Sequence, residues 1–184
     1  MKCIVLSVLL FAFPMIVLAD GATEKMSDSG ASKMAASAKE KPTKNLLKPT
    51  NDPESWTFEM DEGGKGEMKA DGDAIVFTTT ETDGTDWHVQ AYQTGLELKS
   101  GKKYVVRFKS KAPQADDLFI VSQINEDNWH EIGLHEAVGA SDDFKQFEYE
   151  FTAADTVPSN NRLGFVLGSN KGVVNIKDLT ITEK

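Results

Sequence analysis

From residue 55 onward, apolar and polar residues alternate in short segments punctuated by Gly, Asn and Asp. No segment keeps a helical period beyond one or two turns, so the pattern predicts strands instead of helices. Ten are expected, at 55–60, 66–70, 74–80, 87–94, 103–110, 118–125, 131–138, 144–152, 162–167 and 173–182. Two of them show an inner face plainly. Tyr104, Val106 and Phe108 alternate with Val105, Arg107 and Lys109, and Phe147, Tyr149 and Phe151 alternate with Gln146, Glu148 and Glu150. Residues two apart share one face of a sheet, so each aromatic set belongs in a core. Asp71-Gly72, the 83–86 stretch, Ser100-Gly101 and the 168–172 stretch mark chain reversals. The expected architecture is an all-β sandwich of two antiparallel sheets.

The last strand departs from the pattern. Val174 and Ile176 have one parity, Leu179 and Ile181 the other. A slip of one residue turns every side chain to the opposite face, so burial of both pairs requires a bulge near Lys177-Asp178.

The beginning of the chain has a different texture. Lys2, an apolar run from Ile4 to Leu18 interrupted by Pro14, and the small-residue site Val17-Leu18-Ala19 read as an export signal over 1–19. The run falls short of the roughly 20 residues that cross a bilayer. Residues 20–44 are rich in Ala, Ser, Lys, Glu and Met and contain no aromatic, so they are expected to form a disordered tether. Residues 45–184 then form one domain, and the expected location is secreted, periplasmic or in the cell envelope. The only cysteine, Cys3, lies within the leader, so no disulfide is expected in the mature chain.

Charge narrows the partners. Cleavage after Ala19 removes one lysine and leaves nineteen basic against twenty-nine acidic side chains, a formal charge of −10. Such a field disfavours nucleic acid, anionic lipid and acidic polysaccharide and favours neutral partners. A monomer without membrane insertion is expected.

Candidate chemistry concentrates on one strand. If Val89 and Ala91 face the core, His88, Gln90 and Tyr92 share the opposite face. An amide both donates and accepts, as sugar hydroxyls require, and a tyrosine ring offers an apolar surface to the C–H face of a pyranose. Trp129 follows the polar run 125–128, which offers it no core, and is expected as an exposed stacking platform. Trp56 and Trp87 are expected to be structural, the latter because it shares parity with Val89. On 162–167, Leu163, Phe165 and Leu167 take the core and leave Arg162, Gly164 and Val166 outward. Gln123 and Asn125 join the same face if Ile120 and Ile124 point inward. The three histidines, His88, His130 and His135, do not read as a transition-metal site, because His130 and His135 have opposite parity.

The wording W-x-V-Q-x-x-Q-x-G-L-x-L-x-x-G-K-x-Y-x-x-x-F from Trp87 to Phe108 resembles carbohydrate-binding modules of the family 4/9/22 type. Similarity extends through 120–129, the aromatic-alternating 144–152 and the two closing segments 162–168 and 172–179. The resemblance implies a jelly roll with a concave binding face that grips one glycan chain, commonly a β-glucan or xylan, without cleaving it. It also places Arg162 among the sugar contacts, whereas Val166 stands where the family often has a polar group. It further implies one structural calcium ion held by carboxylates of the first and last strands, here Glu59 and Asp178, with Lys177 where a second aspartate is usual.

Two alternatives to glycan binding remain at this stage. The same sheet face would suit an envelope structural or adhesion module that binds a protein partner. The acids Glu126, Asp127, Glu131 and Glu136 near Trp129 would allow a small glycan-active enzyme, which needs two carboxylates flanking the scissile bond.

Overall fold

The computed structural model describes residues 44–114 and 117–184. The expected leader, and the expected tether apart from Lys44, lie outside the described residues. The described residues form ten strands: β1 (Thr57–Met60), β2 (Lys65–Asp71), β3 (Ala74–Glu81), β4 (Val89–Leu96), β5 (Lys103–Ala112), β6 (Leu118–Ile124), β7 (Glu131–Val138), β8 (Ser141–Thr152), β9 (Asn161–Val166) and β10 (Gly172–Glu183). They form two five-stranded sheets, in the orders β1-β4-β9-β6-β7 and β2-β3-β10-β5-β8. Every pairing is antiparallel.

Alternation explains what fills the space between the sheets. Tyr104, Val106 and Phe108 on β5 are buried between the sheets, and the Phe108 ring meets Phe165 of β9 edge to face at 5.4 Å. Trp56 is buried as expected. Its ring packs edge-on against Phe77 at 5.2 Å, and its indole N–H donates to the Thr50 carbonyl at 2.8 Å. Phe147 and Tyr149 are only half-buried, because β8 is an edge strand, yet Phe147 stacks on Phe108 at 5.3 Å. On the outer face of this second sheet, cross-strand pairs such as Arg107 with Glu148 and Lys103 with Glu150 interleave charge. Exposed pairs of this kind contribute little to stability but keep the face solvated.

The irregularity required by the last strand is found where the parity breaks. The register of β10 against β5 shifts between Lys177 and Thr180, Asp178 takes φ 56°, and Val174, Ile176, Leu179 and Ile181 are all buried. Backbone groups freed at the bulge need partners. The Thr50 hydroxyl accepts from Leu179 N at 3.1 Å, and Leu46 N and Asn45 Oδ1 bond the Ile181 backbone. The segment before β1 is thereby tied to β10.

One buried side-chain polar atom among the described residues has no partner, the Ser110 hydroxyl. Ser110 shares the inward parity of Phe108 and Ala112 on β5. An unsatisfied buried hydroxyl costs about 1–3 kcal/mol. Ser110→Ala is therefore expected to keep or raise stability, by up to about 1 kcal/mol or roughly 3 °C in Tm. Thermal unfolding followed by circular dichroism checks this, and a drop in Tm would reveal a partner for the hydroxyl.

Candidate functional site

The outward face of the β1-β4-β9-β6-β7 sheet is built in rows set by the strand register. Glu59, Gln90, Val166 and Phe119 form one row, and Thr57, Tyr92, Gly164, Val121 and His135 the next. Thr94, Arg162, Gln123 and Glu131 form a third. A groove of about 430 Å³ runs over these rows and is walled by Trp87, Asp86 and Asp61 from the loops before β4 and after β1, and by Trp129 from the loop between β6 and β7.

Arg162 organises the floor. Its Nε and Nη2 donate to Gln123 Oε1 at 3.1 and 2.6 Å, and Nη2 donates to Gln90 Oε1 at 3.3 Å. The guanidinium carbon lies 4.4 Å from the Tyr92 ring centroid and 4.6 Å from that of Trp129. A planar cation suits this position because it satisfies amides in its plane while its faces meet aromatic rings. Arg162 is only 5% exposed. Burial pulls its pKa below the ordinary guanidinium value, and the Tyr92 hydroxyl and Glu59 carboxylate oppose that shift. It remains a cation, since arginine is not deprotonated in proteins. Burial also raises the Tyr92 pKa, helped by the hydrogen bond that its hydroxyl donates to Glu59 Oε2 at 3.0 Å.

Gln90 is 8% exposed, and its carbonyl oxygen is engaged by Arg162, but no described group accepts a hydrogen bond from its Nε2. Gln90 lines the groove. Trp129 stands as expected at the rim. It is 45% exposed, its φ is 47°, and its N–H closes a turn on the Glu126 carbonyl at 2.9 Å. Arg162, Gln90, Gln123, Tyr92 and Trp129 are thus brought together.

Other expected residues are placed elsewhere. His88 lies outside the groove: residues Asp86–His88 form a single 3-10 turn, so strand parity does not hold there. Its ring is buried, with Nδ1 2.9 Å from Asp83 Oδ2. The same turn swings Trp87 outward, to 51% exposure, so this residue walls the groove instead of filling the core. Asn125 falls just beyond the end of β6. Its side chain meets Asn160 Oδ1 at 3.4 Å, on a separate depression of the loop end. Tyr92 has the expected parity, but with Arg162 lying over its ring it serves as floor more than as a free platform.

The expected calcium ligands, Glu59 and Asp178, stand on strands of different sheets. Glu59 faces the groove and holds the Tyr92 hydroxyl, whereas Asp178 belongs to the other sheet and pairs with Lys109 Nζ at 2.9 Å. Lys177 is paired with Asp73 at 3.0 Å. Among the described residues, no three or more His, Cys, Asp or Glu side chains are grouped to hold a metal ion.

Sequence reasoning did not single out Trp87, Asp61 or Asp86 as groove residues, nor His135, whose Nδ1 is 2.6 Å from Glu131 Oε1. For Asp86 and Trp87 a local signal exists: Asp83-Gly84-Thr85-Asp86 is a turn sequence, and a turn that runs into Trp87 ends the alternation early.

A family model described as "Carbohydrate binding domain", of the CBM 4/9 type, matches residues 35–172. The chain belongs to this carbohydrate-binding family. Three solved structures share the module's jelly-roll fold. A CBM4 structure superposes with a TM-score of 0.63 at 20% identity, covering 76% of this chain and 93% of the other. The second N-terminal cellulose-binding domain of Cellulomonas fimi β-1,4-glucanase C gives 0.61 at 16% identity, covering 78% and 97%. The CBM22-1 xylan-binding domain of Paenibacillus barcinonensis Xyn10C gives 0.51 at 13% identity, covering 77% and 95%. No curated protein matches the module closely enough to count as a relative.

Proposed function

We propose that the module grips a single chain of a neutral polysaccharide, of the β-glucan or xylan type, in the groove of the β1-β4-β9-β6-β7 sheet and does not cleave it. The observation that carries this reading is the pair of exposed indoles, Trp87 and Trp129, above a floor of amides held by one buried guanidinium. Indole faces cover pyranose C–H surfaces, and Gln90 Nε2 supplies a donor for a hydroxyl. The cellulose- and xylan-binding neighbours and the family's description as a binding domain support the ligand class. The leader-like pattern of 1–19 supports a place outside the cytoplasm.

An open groove leaves much of its ligand in water, so affinity is modest, about −5 kcal/mol or on the order of 0.1 mM. Calorimetry with cellohexaose and xylohexaose tests the proposal. Trp129→Ala is expected to weaken binding by about 0.5–1.5 kcal/mol, roughly twofold to tenfold, since aromatic contacts contribute that much beyond simple burial. Affinity equal to wild type would remove the indole from the binding surface.

A further inference from the structure

The groove carries far more negative than positive charge. Glu59, Asp61, Asp86 and Glu131 line it, against one guanidinium, Arg162, already held by Gln90 and Gln123. Tyr92 donates to Glu59 and His135 faces Glu131, but Asp86 Oδ1 accepts only from the backbone N–H of Trp87, and Asp61 has no side-chain partner among the described residues. Backbone bonds gather these last two acids at one mouth of the groove. Asp61 N donates to the His88 carbonyl at 2.8 Å and Gly168 N to the Asp86 carbonyl at 2.7 Å, so the exposed Trp87 lies along the chain between the two anchored residues. Beside them on the floor is Gln90, whose Oε1 is held by Arg162 and whose Nε2 has no acceptor among the described residues.

Carboxylates beside an exposed indole form an environment for an ammonium group. The ring face attracts a cation, and a cleft lined by one sign of charge concentrates the opposite sign. Replacing the C2 hydroxyl of a β-1,4-linked glucose chain by an amine preserves its shape and its C–H faces, so the indoles and Gln90 retain their contacts. A uronate brings a carboxylate into the same negative field. We propose that the groove prefers a β-1,4-linked chain of free amino sugars to the neutral chain of the same shape. The proposal rests on the glycan reading above and adds a charge preference to it.

Calorimetry at about pH 5.5, above the ordinary carboxylate pKa, with the glucosamine hexamer, the N-acetylglucosamine hexamer, cellohexaose and hexalysine provides the test. The glucosamine hexamer is expected to bind about tenfold tighter than cellohexaose and than its acetylated counterpart at low salt. That ratio falls towards one at about 1 M salt and in the Asp61→Asn/Asp86→Asn double variant, in which the amide oxygen at position 86 still accepts the bond from Trp87 N. A ratio of one or less in the wild type overturns the proposal, as does a ratio that survives the double substitution. Hexalysine bound as tightly as the glucosamine hexamer also overturns it, in favour of a basic protein partner. Cellohexaose binding with a ratio of one removes the charge preference and leaves the glycan reading standing, whereas failure of every sugar to bind removes both.

Discussion

Arg162→Ala is expected to weaken glycan binding by about 2–3 kcal/mol, roughly 30- to 150-fold, because hydrogen bonds to charged groups are among the stronger ones and this cation serves two amides at once. Without it, Gln90 and Gln123 lose their donor, and Tyr92 and Trp129 lose the cation that lies against both rings. Stability is expected to fall as well, by about 1–3 kcal/mol, because the Gln90 and Gln123 oxygens are left without that donor. Arg162→Lys separates charge from geometry. A lysine keeps the cation but cannot reach both amides while lying flat between rings, so it is expected to recover only a fraction of the affinity. Calorimetric titration of both variants with cellohexaose, beside urea unfolding, gives the two quantities. Full recovery in the lysine variant would show that charge alone matters.

The second large effect concerns Gly164, on the central strand of the groove sheet between Tyr92 of β4 and Val121 of β6. A Cβ there would overlap the Ala91 carbonyl oxygen and the Tyr92 Cβ and come within 2.8 Å of the Tyr92 Cα. Most of these atoms are backbone or bonded directly to it, and none is the end of a flexible side chain, so β4 and β9 would have to separate. Gly164→Ala is expected to cost about 3 kcal/mol or more, at the upper end of overpacking effects. It should also weaken binding, since Tyr92 and Arg162 stand on the two strands forced apart. Gly139→Ala is the control: open space surrounds its Cβ position, and a change within about 0.5 kcal/mol is expected. Urea denaturation measures both, and equal midpoints for the two variants would show that the groove strands yield easily.

The sandwich is legible in the sequence because a strand's period is two and its faces differ in polarity. Each of the ten expected segments corresponds to a strand, and even the bulge at Asp178 follows from the parity of Ile176 and Leu179. The groove floor is legible for the same reason, since Gln90, Tyr92, Gln123 and Arg162 lie inside regular strands. Reasoning from parity fails where regular strand ends. It fails at Asp86–His88, where a 3-10 turn exchanges the expected positions of Trp87 and His88, and after Ile124, where Asn125 enters a loop. Glu59 and Asp178 illustrate a further limit. Which strands neighbour one another across sheets is a matter of topology, and alternation within a strand carries no information about it.

The left-handed backbone at Trp129 is strained for a residue with a bulky side chain. That strain is met when the domain folds, and with it the rim indole is aimed before any sugar arrives. On the proposed reading, a glycan chain meets an indole whose backbone conformation is already fixed.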